Sequence, residues 1–167
     1  EEQARRLARL LELAMEEALL QGRDLGLHVE LHGYSFHAFD ADALNWVPLD
    51  YDDLFREREL PREIALELLV EGRTADLVPS GAERERLRGT APDASRGGED
   101  EEDESDSGGG DTAERTRVSD VRPQVLILAS GELTPFTLIF ESDASRERYV
   151  MTGQPYGAIE LQAEETL

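Results

Sequence analysis

The sequence predicts an α+β fold, with one long N-terminal helix packed on antiparallel β-sheets of about seven short strands. Three observations carry this. Apolar residues recur every three to four positions up to Gly22; the period then drops to two; and strand-like alternation resumes after a stretch without apolar residues. At 167 residues a single domain is expected. Its expected parts are the helix at 1–22 and a β domain at 23–167, interrupted by a disordered acidic loop at about 81–120.

The helix is read from Leu7, Leu11, Ala14 and Ala18 on one stripe and Arg5, Arg9, Glu12 and Glu16 on the opposite one. Glu1–Arg5 and Glu2–Arg6 add ion pairs in the favoured order. Gly22 is the stop, because glycine takes the left-handed conformation that ends helices. No capping residue precedes the pattern, so the helix reads as cut, not begun, with more of it expected upstream.

Leu25, Leu27, Val29 and Leu31 alternate with Gly26, His28, Glu30 and His32, and Tyr34, Phe36 and Ala38 continue the alternation. This predicts a hairpin turning at His32-Gly33. Residues 46–49 form a short strand that Pro48 confines to an edge. Ile64, Leu66, Leu68 and Val70 mark a strand with one wetter face. Val125-Leu126-Ile127-Leu128 is apolar on both faces, as in a central strand. Phe136, Leu138 and Phe140 mark the next strand, and residues 148–152 and 158–163 two more.

Charge excludes several function classes. Against 38 acids stand 17 basic residues, all Arg, for a net charge of −21. Such a chain lacks the positive face that nucleic acid or anionic lipid requires. Residues 90–114 hold ten acids and one Arg, so −9 of that charge is local to a segment too polar to fold on its own. Without Cys there are no disulfides, thiolate metal sites or thiol nucleophiles. The longest uncharged apolar run, 125–131, is far short of the roughly 20 residues that span a bilayer.

The candidate chemical groups are few. Across a turn at His32-Gly33, His28 would face His37, giving two zinc ligands with Glu30 as a third; the plainer expectation is a polar pair on the outer face. Asp40 with Asp42, and Asp50 with Asp52 and Asp53, lack the spacing of a calcium loop. Ser130-Gly131 follows a buried strand, but Leu128 stands where a nucleophile elbow has Gly. No catalytic, cofactor-binding or metal residue is assigned. Phe36, Phe136 and Phe140 read as core. Trp46, Tyr51 and Phe55 lie in an irregular acidic stretch, where they form either a contact patch or the cover of a sheet edge.

Particular runs carry a resemblance. Leu19-Leu20-Gln21-Gly22-Arg23-Asp24-Leu25-Gly26-Leu27, Gly33-Tyr34-Ser35-Phe36, Trp46-Val47-Pro48-Leu49 and Leu60-Pro61 resemble the minor pseudopilin GspH of type II secretion. So, most specifically, does Ser130-Gly131-Glu132-Leu133-Thr134-Pro135-Phe136-Thr137-Leu138 after a Val-Leu-Ile-Leu strand. The likeness runs over roughly 1–80 and 120–165. It implies a pilin-like, non-enzymatic subunit of a pseudopilus tip. It also implies a prepilin-peptidase site and a hydrophobic half-helix before Glu1, which would anchor the protein in the inner membrane with its globular domain in the periplasm. The implied partners are the minor pseudopilins I, J and K and the major pseudopilin G, with no nucleic acid. Arg5, Arg9, Glu12 and Glu16 would face neighbouring subunits, and Trp46, Tyr51 and Phe55 are added to the expected assembly interface. Two alternatives share the pattern: a minor pilin of a type IV pilus, and a periplasmic module whose acidic loop binds a metal or another cation.

Overall fold

Helix α1 (Glu2–Gln21) stops where the sequence places its stop. Gly22 sits at φ +61°, and both its N–H and that of Arg23 close on the Ala18 carbonyl. A side chain at Gly22 would meet nothing within 4 Å, so conformation and not space selects glycine here. Ala4, Leu7, Leu11, Ala14 and Ala18 are fully buried, matching the stripe read from the sequence. The helix lies against strands of both sheets described next, most extensively against the last one. A computed structural model describes residues 1–50, 52–80, 121–142 and 147–165 of the chain.

Among the described residues ten strands follow α1: β1 (Leu25–Glu30), β2 (Gly33–Asp40), β3 (Asn45–Pro48), β4 (Arg58–Glu59), β5 (Ile64–Val70), β6 (Arg73–Thr74), β7 (Val125–Ile127), β8 (Phe136–Ser142), β9 (Glu147–Gly153) and β10 (Ile159–Glu165). The first sheet runs β3-β2-β1-β7, with β4 also on β2; the second runs β10-β9-β8-β5-β6. Every pairing is antiparallel. β3, ending in Pro48, is an edge strand as expected. β4 and β6, two residues each, are among the strands beyond the expected count, and no periodicity can reveal them.

One core joins the layers. Leu25, Leu27, Val29, Tyr34, Phe36 and Ala38 of the first sheet meet Leu66, Leu68, Leu138, Phe140 and Met151 of the second beneath the buried stripe of α1. Burying a Leu or Phe side chain contributes roughly 1.5–3 kcal/mol, so this cluster dominates the stability of the fold.

Two expectations are corrected. β7 is not central: it is three residues long and lies at the edge of the first sheet. Its apolar run reflects a turn that folds back on it. The Thr134 N–H donates to the Leu126 carbonyl, the Leu126 N–H donates to Thr134 Oγ1, and Leu133 bridges to Ile127. Gln124 then extends the ladder with its side chain, accepting from the Val29 N–H (2.8 Å) and donating to the Val29 carbonyl (2.9 Å).

The hairpin also turns one residue earlier, at Leu31-His32, with Glu30 opposite Gly33. Tertiary contacts hold that turn. Leu31 bonds Val78 and Leu66 through its backbone, and His32 bonds Leu60 through its carbonyl and the Ile64 carbonyl through Nδ1. Gly33 is needed inside the strand, since a Cβ there would lie 2.9 Å from the Arg58 carbonyl oxygen. Each residue of β1 therefore meets a partner two positions earlier in β2 than expected, and because the side-chain period is two, every side chain keeps its face.

Candidate functional site

The polar stripe of α1 is the first candidate surface. Arg5, Arg9, Glu12 and Glu16 are all exposed, since the buried stripe takes the other side of the helix. Arg5 pairs with Glu1, and Arg6 with Glu2 at 3.5 Å, all four side chains being at least 45% exposed. Pairs so open to water contribute little, so these guanidinium groups stay available. Among the described residues Arg9 has no carboxylate partner within ion-pair distance. A surface groove of about 560 Å³ is lined by Glu1, Glu2, Arg5, Arg6, Arg9 and Leu10. Arg6 thus joins the two arginines singled out in the sequence. Its i,i+4 pairing with Glu2 is legible there, but not its place in the groove.

The aromatic group does not assemble into one patch. Trp46 is half-buried, its ring 5.3 Å from that of Phe39 and near Gly26, where an added Cβ would lie 3.2 Å from Cζ3. It covers the outer face of the first sheet near its edge. Phe55 is 5% exposed and its ring meets that of Phe36 edge-on at 5.3 Å, so it packs in the core and not on an exposed patch. The acidic stretch folds back beneath the sheet and buries Leu49, Phe55 and Leu60 together. Tyr51 lies outside the described residues, as does the acidic segment at 81–120.

The acids of this stretch serve turns. Asp52 Oδ1 accepts the Leu54 N–H at 2.8 Å, and Asp40 Oδ1 accepts those of Asp42 and Ala43, both at 3.0 Å. Such bonds substitute a side chain for a backbone turn contact.

The histidines lie diagonally across the hairpin, not opposite each other. His28 faces Ser35, and His37 faces Gly26. Their rings meet edge to face at 6.0 Å, and His28 Nε2 is 3.9 Å from Glu30 Oε1. His37 Nε2 shares a hydrogen bond of 3.0 Å with the Ser35 hydroxyl. Burial, and then the neighbouring His28, lower the His37 pKa to about 4 against the pull of Asp50, so the ring is neutral at pH 7. Among the described residues no three His, Asp or Glu side chains converge as a metal site would require.

The run 131–136 acts as a joint. Gly131, at φ +89°, turns the chain beside Leu19 of α1, and the Leu133 N–H donates to the Pro155 carbonyl next to β9. The segment ties β7, β8 and the end of α1 together, which gives the most specific run of the resemblance a structural role. Among the described residues no helix is long and apolar enough to cross a membrane.

A long N-terminal helix with a buried apolar stripe, an exposed charged stripe and two antiparallel sheets beneath it defines a pilin-like protein. Comparison with known proteins gives the particular family. The model of the family described as Type II transport protein GspH matches residues 3–157, and the chain belongs to this family. It is 30% identical to the type II secretion system protein H of Aeromonas hydrophila over 99% of its length, and 29% identical to that of Pseudomonas aeruginosa over 81%. It spans 75% of the first relative and 59% of the second. Two structures of the minor pseudopilin EpsH from the Type 2 Secretion System of Vibrio cholerae share the fold, with TM-scores of 0.60 and 0.62 at 22% and 21% identity. They cover 96% of this chain and 94% and 93% of theirs. The solution structure of E. coli GspH gives a TM-score of 0.54 at 22% identity, over 98% of this chain and 85% of that one.

Proposed function

We propose that this protein is a structural subunit of the type II secretion pseudopilus. In this reading it sits in the tip assembly with the minor pseudopilins I, J and K above the major pseudopilin G, helps to export folded proteins, and is anchored in the inner membrane with its globular domain in the periplasm. The observation that carries the reading is the family match over residues 3–157. The exposed stripe of α1 supports it: the buried stripe is spent on the protein's own sheets, so Arg5, Arg9, Glu12 and Glu16 remain for contacts with neighbours. Half-buried Trp46, at the edge of the first sheet, is a second contact candidate. Exposed charges set register and encounter more than affinity.

Co-precipitation with the soluble domains of the companion pseudopilins tests this. Association on the order of tens of micromolar is expected, weaker at high salt. The double substitution Arg5→Glu and Arg9→Glu weakens it severalfold. Failure of the unsubstituted protein to associate with any companion overturns the proposal.

A further inference from the structure

Edges distinguish the two sheets. β3 is four residues long and ends in Pro48, β4 and β6 have two residues each, and β7 has three, with Thr134 and Gln124 already on its flank. β10 is different. It is seven residues long and borders the second sheet, with β9 on one side and, among the described residues, no strand on the other. Its pairing with β9 runs unbroken from Ile159 opposite Gly153 to Glu165 opposite Glu147, without proline, bulge or positive φ. Such an edge presents a row of backbone donors and acceptors to solvent.

Helix α1 packs on β10, and the charges along the strand's outer face have one sign. Glu160, Gln162 and Glu164 share the outer face, while Ile159, Leu161 and Ala163 share the other, where Ile159 and Leu161 pack against the core, Leu161 lies opposite buried Met151, and Ala163 is exposed. Glu164 already holds Arg148 through two bonds of 2.7 and 2.9 Å; Glu160 and Glu165 are exposed. A second copy offering its own β10 would bring Glu against Glu, which destabilises a cross-strand pair. A strand with positive charges at alternate positions meets the opposite situation. Its apolar residues would extend the row Ile159, Leu161 and Ala163, and its basic ones would stand beside the glutamates.

We propose that β10 is a docking edge for an extended segment of a partner protein in which Arg or Lys alternate with apolar residues, added to the second sheet as a further strand. The inference stands on the edge itself. If it fails, assembly through α1 is untouched.

A capped peptide alternating Val and Arg, of the length of β10, is titrated into the full chain at about 0.15 M salt and followed by amide NMR. The expected result is shifted signals and slowed hydrogen exchange at residues 159–165. Glu160→Lys with Gln162→Lys, both exposed, weakens binding about tenfold, and a Val–Glu peptide then binds in its place. A peptide of the same composition interrupted by central proline loses binding. The proposal is overturned if the shifts fall in the acidic residues 97–111 and spare β10. It is equally overturned if the proline-interrupted peptide binds as well, or if the double variant, folded by circular dichroism, binds the Val–Arg peptide unchanged.

Discussion

Gly153 is a glycine in the interior of a strand, where alanine ordinarily stabilises by roughly 0.5–1 kcal/mol. The structure reverses that sign. Gly153 lies opposite Phe136, and the Phe136 ring rests on it. A Cβ at Gly153 would lie 2.2 and 2.5 Å from two ring carbons and 3.0 Å from Leu133 Cδ2. Carbon contacts relax at about 3.5–4.0 Å, so the ring must retreat by about 1 Å or more. It has nowhere to go, because Phe136 and Leu133 are each only 3% exposed and packed in the core. Overpacking of this kind costs about 2–3 kcal/mol, and subtracting the backbone gain leaves a net loss of about 1–2 kcal/mol for Gly153→Ala. For a chain of this size that is a fall of about 2–8 °C in Tm. Thermal melts and urea titrations measure it. In a Phe136→Val background, which has neither the Cδ1 nor the Cε1 that clash, the loss from Gly153→Ala should shrink markedly. A Gly153→Ala protein that melts at or above the parent refutes the reasoning, and so does an equal loss in both backgrounds.

Three further outcomes are expected. His37 has its pKa lowered to about 4 in the fold from an ordinary 6.5, so on acidification the unfolded chain takes up its proton first. Its contribution is therefore complete above about pH 6.5 and is lost as pH falls toward 4, by up to about 3 kcal/mol; His37→Gln should flatten the difference between urea midpoints at pH 7 and pH 5. Gln124→Met keeps the volume but strands the Val29 N–H and carbonyl that Gln124 satisfies, and should lower unfolding free energy by about 1–3 kcal/mol in urea titration. Tyr34 is fully buried, and its hydroxyl has no hydrogen-bond partner among the described residues. Tyr34→Phe should therefore leave stability unchanged or raise it by about 1 kcal/mol, measured the same way.

Much of this protein is local and legible in the chain. Helix α1 follows from the spacing of Leu7, Leu11, Ala14 and Ala18 and from one glycine in left-handed conformation, both properties of neighbouring residues. The faces of β1, β2, β5 and β8 follow from alternation, because a period of two admits only two sides. The charged stripe of α1 is likewise the complement of an apolar one. What the chain does not display is who pairs with whom. The turn at Leu31-His32 is held by Leu60, Ile64, Leu66 and Val78, all more than 25 residues away, and periodicity cannot see them. Phe55 sits in a stretch as acidic as any surface loop, yet the backbone turns made by Asp52 carry its ring under Phe36. β7 looks central because both its faces are apolar, but the count of its strand neighbours depends on how residues 128–134 return. That β10 has a single strand neighbour among the described residues is decided in the same way. Alternation fixes which side of a strand is apolar; only tertiary packing, which weighs contacts between segments remote in sequence, fixes which strands lie beside it and which edge is left without one.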